Sequence, residues 1–313
     1  MGLLKARYEG ITERDGTYQI ADGVALYAKE LTAENASDGT ALFIHGAEGN
    51  HTIIRRPACF LINKGYFARI IMPDRRGTGN SSPITSFMDI EYNAFDLKRL
   101  LDKMGVYEKI TAIGMSLGGS IALKLASLDQ RVERVILIAS SPLIKPNNYL
   151  FNLFYRSGIE EKVSRVIYFF FMGRRPIQYP DYDAVYDAKG LPGLLRVFFT
   201  ELLHTKKRQM KSKVYEKMAT RQLANVAMDD DLKITIPVIQ VIGTRDKTWE
   251  IDMKERYFRQ ISHITVKYIK NASHMDILLK ASLFYNGLGE LLTDRRRSGS
   301  MTEIAPWQHH YRK

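Results

Sequence analysis

Gly114-Met115-Ser116-Leu117-Gly118-Gly119 stands between an apolar run and a helix-forming run, and few backbones satisfy all three at once. Lys109 to Met115 reads as a buried strand and Leu117 to Leu128 as the helix after it, so Ser116 falls on a sharp strand-to-helix turn. Such a turn crowds its central residue from both sides. The glycines remove the Cβ atoms that would collide, which leaves the Ser116 hydroxyl exposed at the top of a sheet. A serine hydroxyl is protonated at neutral pH. The turn therefore acquires chemistry only if the chain also supplies a base, an acid to orient it and donors for an oxyanion.

Downstream segments offer the base and the acid. Pro237-Val-Ile-Gln-Val-Ile-Gly-Thr-Arg-Asp246 is an apolar strand ending in a turn, and a charged helical stretch follows from Glu250 to Gln260. The alternating strand Ile264 to Ile269 then runs into Asn271-Ala272-Ser273-His274. Asp246 and His274 each lie just past the C-terminal end of a strand, the sheet edge that carries Ser116. Asp252 and Asp229 to Asp231 are rival acids, but none follows a strand so directly. His263 precedes a strand. His51, His204, His309 and His310 are scattered without ligands at metal spacing, so no metal site is expected.

The first half of the chain offers the oxyanion donors. Ala41-Leu-Phe-Ile-His45-Gly46-Ala47-Glu48-Gly49 is a strand entering a His-Gly loop, which places the backbone N–H of Ala47 as one donor. The N–H of Leu117, at the start of the helix after Ser116, is the other, helped by the helix dipole. Glu48 reads as a solvated loop carboxylate. Phe67 to Met72 is a further strand, and Pro73-Asp74-Arg75-Arg76-Gly77-Thr78-Gly79-Asn80-Ser81 is a glycine-bearing loop after it.

These four segments, in this order and each after a strand, resemble the α/β-hydrolase fold superfamily over roughly residues 18 to 292. The order Ser, Asp, His is also the order of that superfamily. The resemblance implies an α/β fold with a mostly parallel, doubly wound sheet and a helical cap inserted after the sixth strand. Residues 1–141 and 237–293 would form the core, 142–236 the cap and 294–313 a basic C-terminal tail. It further implies a catalytic triad of Ser116, Asp246 and His274, with His45 in the oxyanion loop and Arg75 and Arg76 as loop supports.

A serine hydrolase acting on a carboxylic ester or thioester of a small to medium apolar substrate is the expected activity, with no cofactor. The alternatives on the same fold are a hydrolase of C–C bonds, a proline-iminopeptidase-like peptidase and a non-catalytic small-molecule receptor. Met115 and Leu117 depart from the Gly-Gly-Ser-Trp-Gly pattern of the peptidases. Serine rather than aspartate at the nucleophile argues against dehalogenase or epoxide hydrolase chemistry.

The strand pattern sets the organisation. Two opening strands span Tyr18 to Leu31 with a turn near Ala21-Asp22-Gly23, followed by strands Ala41 to His45, Phe67 to Met72, Ile110 to Met115 and Val135 to Ala139. Helices around Ile53, Ala94 and Ile121 alternate with them, which is the pattern of a parallel sheet. Cys59 falls on the apolar face of the helix Ile53 to Lys64 and is expected to be buried and inert.

After Ser140-Ser141-Pro142 the pattern becomes helical without an obvious buried strand. Its aromatic first half contains Phe154 and Phe170, candidates to line an acyl or aryl pocket. Its basic second half, His204 to Arg221, reads as a solvated helix face.

The 313 residues, 45% of them hydrophobic, suffice for one catalytic domain plus a cap. A single Cys excludes an intramolecular disulfide. The formal charge of +12 comes without a nucleic-acid-binding motif, so the expected partner is a small-molecule substrate and no specific nucleic acid. The apolar run Val166 to Met172 is far shorter than the ~20 residues of a membrane-spanning helix. Met1 to Glu9 has no apolar core of a signal peptide, and a cytoplasmic location is expected.

Overall fold

The computed structural model describes residues 10–33, 39–46, 49–84, 88–140, 233–246 and 261–274, together with Ile277, Leu288 and Leu292. The strands are β1 (Ile11–Ala21), β2 (Val24–Ala33), β3 (Thr40–Ile44), β4 (Arg69–Pro73), β5 (Ile110–Met115), β6 (Val132–Ile138), β7 (Val238–Gly243) and β8 (Ile264–Ile269). They form one eight-stranded sheet in the order β1-β2-β4-β3-β5-β6-β7-β8. β2 pairs antiparallel with both β1 and β4, and every other pairing is parallel.

Helices α1 (His51–Asn63), α2 (Ile90–Lys103) and α3 (Leu117–Leu128) link the parallel strands. Burial explains the sequence character of the strands. β3, β5 and β7 are covered on both faces and read as continuous apolar runs, whereas β1 at the edge is largely exposed.

Two apolar clusters flank the sheet. Ala94, Leu97, Leu100 and Leu101 of α2 and Ile121, Ala122 and Leu125 of α3 pack with Ile110 and Ala112 of β5 on one face. Ile54, Ala58 and Leu61 of α1, with Ile277, Leu288 and Leu292, pack with Ile113 and Met115 on the other. The arrangement is the doubly wound sheet that the alternation of elements predicts. Cys59 is buried among the second set, as expected.

Some boundaries move. The opening strands run from Ile11 to Ala33 rather than Tyr18 to Leu31, because the polar residues of an exposed edge strand carry no apolar signal. β4 begins at Arg69 rather than Phe67, whose ring is buried at the strand's entrance, and β6 begins three residues before Val135.

Six strands precede residue 139, and β7 pairs parallel with β6. The stretch expected to form the cap therefore lies in sequence between two strands that are neighbours in the sheet. Residues 141–232 themselves lie outside the described residues, as does the whole of the expected tail.

Sheet order locates the crevice. The chain goes from β3 outward to β4 on one side and then to β5 on the other, so the order reverses between β3 and β5. Ligands in open α/β sheets occupy the crevice beyond the strand C-termini at such a reversal. Gly46 follows β3 and Ser116 follows β5.

Candidate active site

Ser116 takes φ 51° and ψ −121°, a region that residues other than glycine rarely occupy. The neighbouring glycines make this possible. A Cβ on Gly118 would stand 2.2 Å from the Ile44 carbonyl oxygen, and one on Gly114 would stand 2.3 Å from the Gly119 Cα. Helix α3 can thus lean over the ends of β3 and β5. The Ser116 N–H donates to the Ile138 carbonyl at 2.9 Å, which ties the turn to β6.

The three residues expected to form the triad meet. Ser116 Oγ lies 3.1 Å from His274 Nε2, and His274 Nδ1 lies 2.9 Å from Asp246 Oδ2. The Asp246 side chain is fully buried while that of His274 is one-fifth exposed. Since Asp246 can only accept when ionised, Nδ1 carries the proton in neutral His274, and Nε2 is left to accept from the serine hydroxyl.

The loops that carry the pair are knitted by backbone. Arg245 N–H donates to the Ala272 carbonyl (2.9 Å), Thr244 N–H to the Ile269 carbonyl (3.0 Å), and Asn271 N–H to Thr244 Oγ1 (2.9 Å). Asn271 turns the chain toward His274 at φ 60°, a left-handed conformation that asparagine tolerates better than most residues.

The His-Gly loop after β3 is packed against this turn. A Cβ on Gly46 would lie 3.2 Å from Ser116 Cβ, so only a glycine brings the loop this close without displacement. The Gly46 carbonyl accepts from His45 Nδ1 at 2.8 Å and from Arg75 Nη2 at 2.9 Å. His45 Nε2 accepts the Arg75 backbone N–H at 3.3 Å and lies 3.2 Å from Thr78 Oγ1.

That pattern requires a neutral His45 protonated on Nδ1. Complete burial, followed by the nearby Arg75 guanidinium, pushes its pKa down to about 3. Of the two expected oxyanion donors, Leu117 opens α3 and is buried. Ala47 and Glu48 lie outside the described residues, as do Phe154 and Phe170.

The Asp74 loop is more than a charged surface turn. Asp74 is buried and accepts from His51 Nδ1 (2.8 Å), the His51 backbone N–H (2.7 Å) and the Asn80 N–H (2.7 Å). Burial works against its carboxylate, but the His51 hydrogen bond leads the opposing influences and holds its pKa below the ordinary value. Gly79 makes room, since a Cβ there would stand 1.9 Å from Asp74 Oδ2.

Arg76 forms a two-pronged pair with Asp96 of α2 (2.6 and 2.9 Å), the support role expected of it. His51, read from sequence as one of several scattered histidines, is instead buried at the start of α1 and joined to this network. Its signal was its place beside Asn50, whose side chain caps α1 by accepting from Thr52 N–H.

The alpha/beta hydrolase fold family profile matches residues 42–281, and the chain belongs to this family. Solved structures with the same fold include a thermophilic esterase from Thermogutta terrifontis. It is 20% identical with a TM-score of 0.62, over 90% of this chain and 98% of that one. An esterase from Exiguobacterium antarcticum is 18% identical with a TM-score of 0.64, over 88% of this chain and 98% of that one. Identities this low show the fold alone.

Among curated sequences, a Synechocystis sp. protein carrying a non-heme chloroperoxidase name is 33% identical over 111 residues. That match covers 34% of this chain and 39% of that protein, so it spans well under half of either. Among the described residues, no helix is long and apolar enough to cross a membrane.

Proposed function

We propose that the protein is a serine hydrolase that cleaves a carboxylic ester or thioester of a small to medium apolar substrate through an acyl-enzyme. The observation that supports this reading is the unbroken relay from Ser116 Oγ to His274 Nε2 and from His274 Nδ1 to Asp246. Esterases among the structures that share the fold agree with it.

His274 Nε2 takes the hydroxyl proton as Ser116 Oγ bonds to the substrate carbonyl carbon. The buried Asp246 carboxylate holds the imidazole in place and stabilises its cation. Backbone N–H groups of Ala47 and Leu117 receive the oxyanion. Collapse of the tetrahedral intermediate expels the alcohol or thiol with a proton from His274. Water, deprotonated by His274, then attacks the acyl-enzyme, releasing the acid and restoring Ser116.

Residues 142–236 are proposed to form a helical cap over this site, with Phe154 and Phe170 facing the acyl or aryl group. The test is turnover of a p-nitrophenyl ester. Ser116→Ala should lower kcat by several orders of magnitude with the fold retained, and a fluorophosphonate probe should label Ser116 in the wild type. Activity that survives the substitution, or a label found on another residue, rejects the assignment.

A further inference from the structure

Ser140, one residue past the left-handed Ala139 at the end of β6, is buried directly beneath the nucleophile turn. Its Oγ donates to the Ser116 carbonyl at 2.7 Å, which also accepts the Gly119 N–H at 2.9 Å. Two further residues exist in a form that serves this contact. A Cβ on Gly119 would stand 2.0 Å from Ser140 Oγ, so the second glycine after Leu117 provides the space the hydroxyl occupies. Gln240, fully buried in β7 among apolar neighbours, donates Nε2 to the Ser140 carbonyl at 3.0 Å.

Gln240 Oε1 has no hydrogen-bond partner among the described residues. An apolar residue at the same place would leave no such oxygen buried. Holding Ser140 is what the amide does in return.

The Ser116 carbonyl belongs to the same planar trans peptide as the Leu117 N–H, and the two groups point in opposite directions. A hydroxyl that fixes the carbonyl therefore fixes the direction of the N–H. We propose that Ser140 is a positioning residue that aims the Leu117 N–H at the substrate oxyanion, with Gln240 steadying it from β7. It also restrains a turn whose Ser116 backbone conformation is intrinsically unfavourable. The inference rests on the reading of Ser116 as nucleophile and adds to it the device that orients one oxyanion donor.

The experiment compares wild type, Ser140→Ala, Gln240→Met and Ser116→Ala with a p-nitrophenyl ester and with a trifluoromethyl ketone. The adduct of that inhibitor with serine places an oxyanion where the ester intermediate would. Removing an oxyanion donor outright costs about 10²–10³ in kcat, so a donor left in place but no longer aimed should cost about tenfold. Ser140→Ala should show that loss in kcat, a KM close to wild type and a parallel rise in the ketone Ki.

Gln240→Met should show the same pattern at smaller size, and it carries the test if Ser140→Ala does not fold. Wild-type kcat and Ki in both variants would overturn the proposal, as would a loss of activity without weaker ketone binding. Full activity in Ser116→Ala would reject the nucleophile reading instead.

Discussion

Gly243 packs so tightly on Ala272 that a Cβ on the glycine would stand 2.1 Å from the Ala272 carbonyl oxygen. The same oxygen accepts the Arg245 N–H, so the turn leading to Asp246 and the turn leading to His274 share one backbone contact. Gly243→Ala must push the two turns apart. Overpacking of this kind costs about 1–3 kcal/mol, and the displacement falls on the Asp246–His274 hydrogen bond. The expected outcome is a lower urea midpoint together with a kcat loss that persists at low temperature, where the variant is fully folded. Wild-type kcat in the folded variant would show that the contact does not set the spacing of the pair.

Asp246→Asn separates orientation from folding more cleanly. The asparagine amide can offer donors toward Nδ1, which favours the tautomer with its proton on Nε2, where it opposes acceptance from Ser116. A loss of roughly 10⁴-fold in kcat is expected, the scale of a wrong-tautomer triad. Asp252→Asn should remain near wild type. Equal losses in steady-state assays of both variants would mean that the acid has been misassigned.

The fold was legible from local patterns, and the three meeting side chains, 158 and 28 residues apart, from their places after strands in the order of the family. Apolar runs buried on both faces announce β3, β5 and β7, and the glycines around Ser116 announce a turn that excludes Cβ atoms. The exposed edge strand β1 was read short because alternation fades where neither face is buried. His51 and Ser140 were missed for another reason. Their roles depend on Asp74 and Ser116, 23 and 24 residues away, and neither spacing has a local meaning in sequence. Gln240 was a visible anomaly, a long polar side chain in a strand buried on both faces.

Acid should destabilise the protein through His45. In the unfolded chain the imidazole protonates near its ordinary value of 6.5, whereas in the folded chain it stays neutral until about 3. Between those values the unfolded state binds the extra proton, so stability present above 6.5 is lost as pH falls, by up to ~1.4 kcal/mol per pH unit. Asp74 acts in the same direction at lower pH. Its depressed folded pKa gives stability that is present above the ordinary 3.8 and is lost as pH falls through the folded value. Urea unfolding from pH 7 to pH 4 should therefore be distinctly less pH-dependent in His45→Asn than in wild type. Parallel curves would show that His45 takes up its proton without opposition in the folded state.

Arg75 should influence catalysis from the other side of the oxyanion. Its Nη2 and His45 Nδ1 both hold the Gly46 carbonyl, and the peptide that begins with this carbonyl ends in the amide proposed as a donor. By peptide planarity, loosening the carbonyl loosens the N–H. Arg75→Met keeps much of the aliphatic packing but removes the guanidinium, and Arg75→Lys restores a charge without the planar fork. Both should lower kcat by about tenfold or more with a smaller change in KM, since the interaction strengthens only as the carbonyl oxygen gains charge. The guanidinium also helps to hold the His45 pKa down, so Arg75→Met should raise the folded value, end the acid loss of stability at a higher pH and make its total smaller. A kcat loss in Arg75→Met that Arg75→Lys fully repairs would assign the effect to charge alone and remove the geometric argument for the clamp on Gly46.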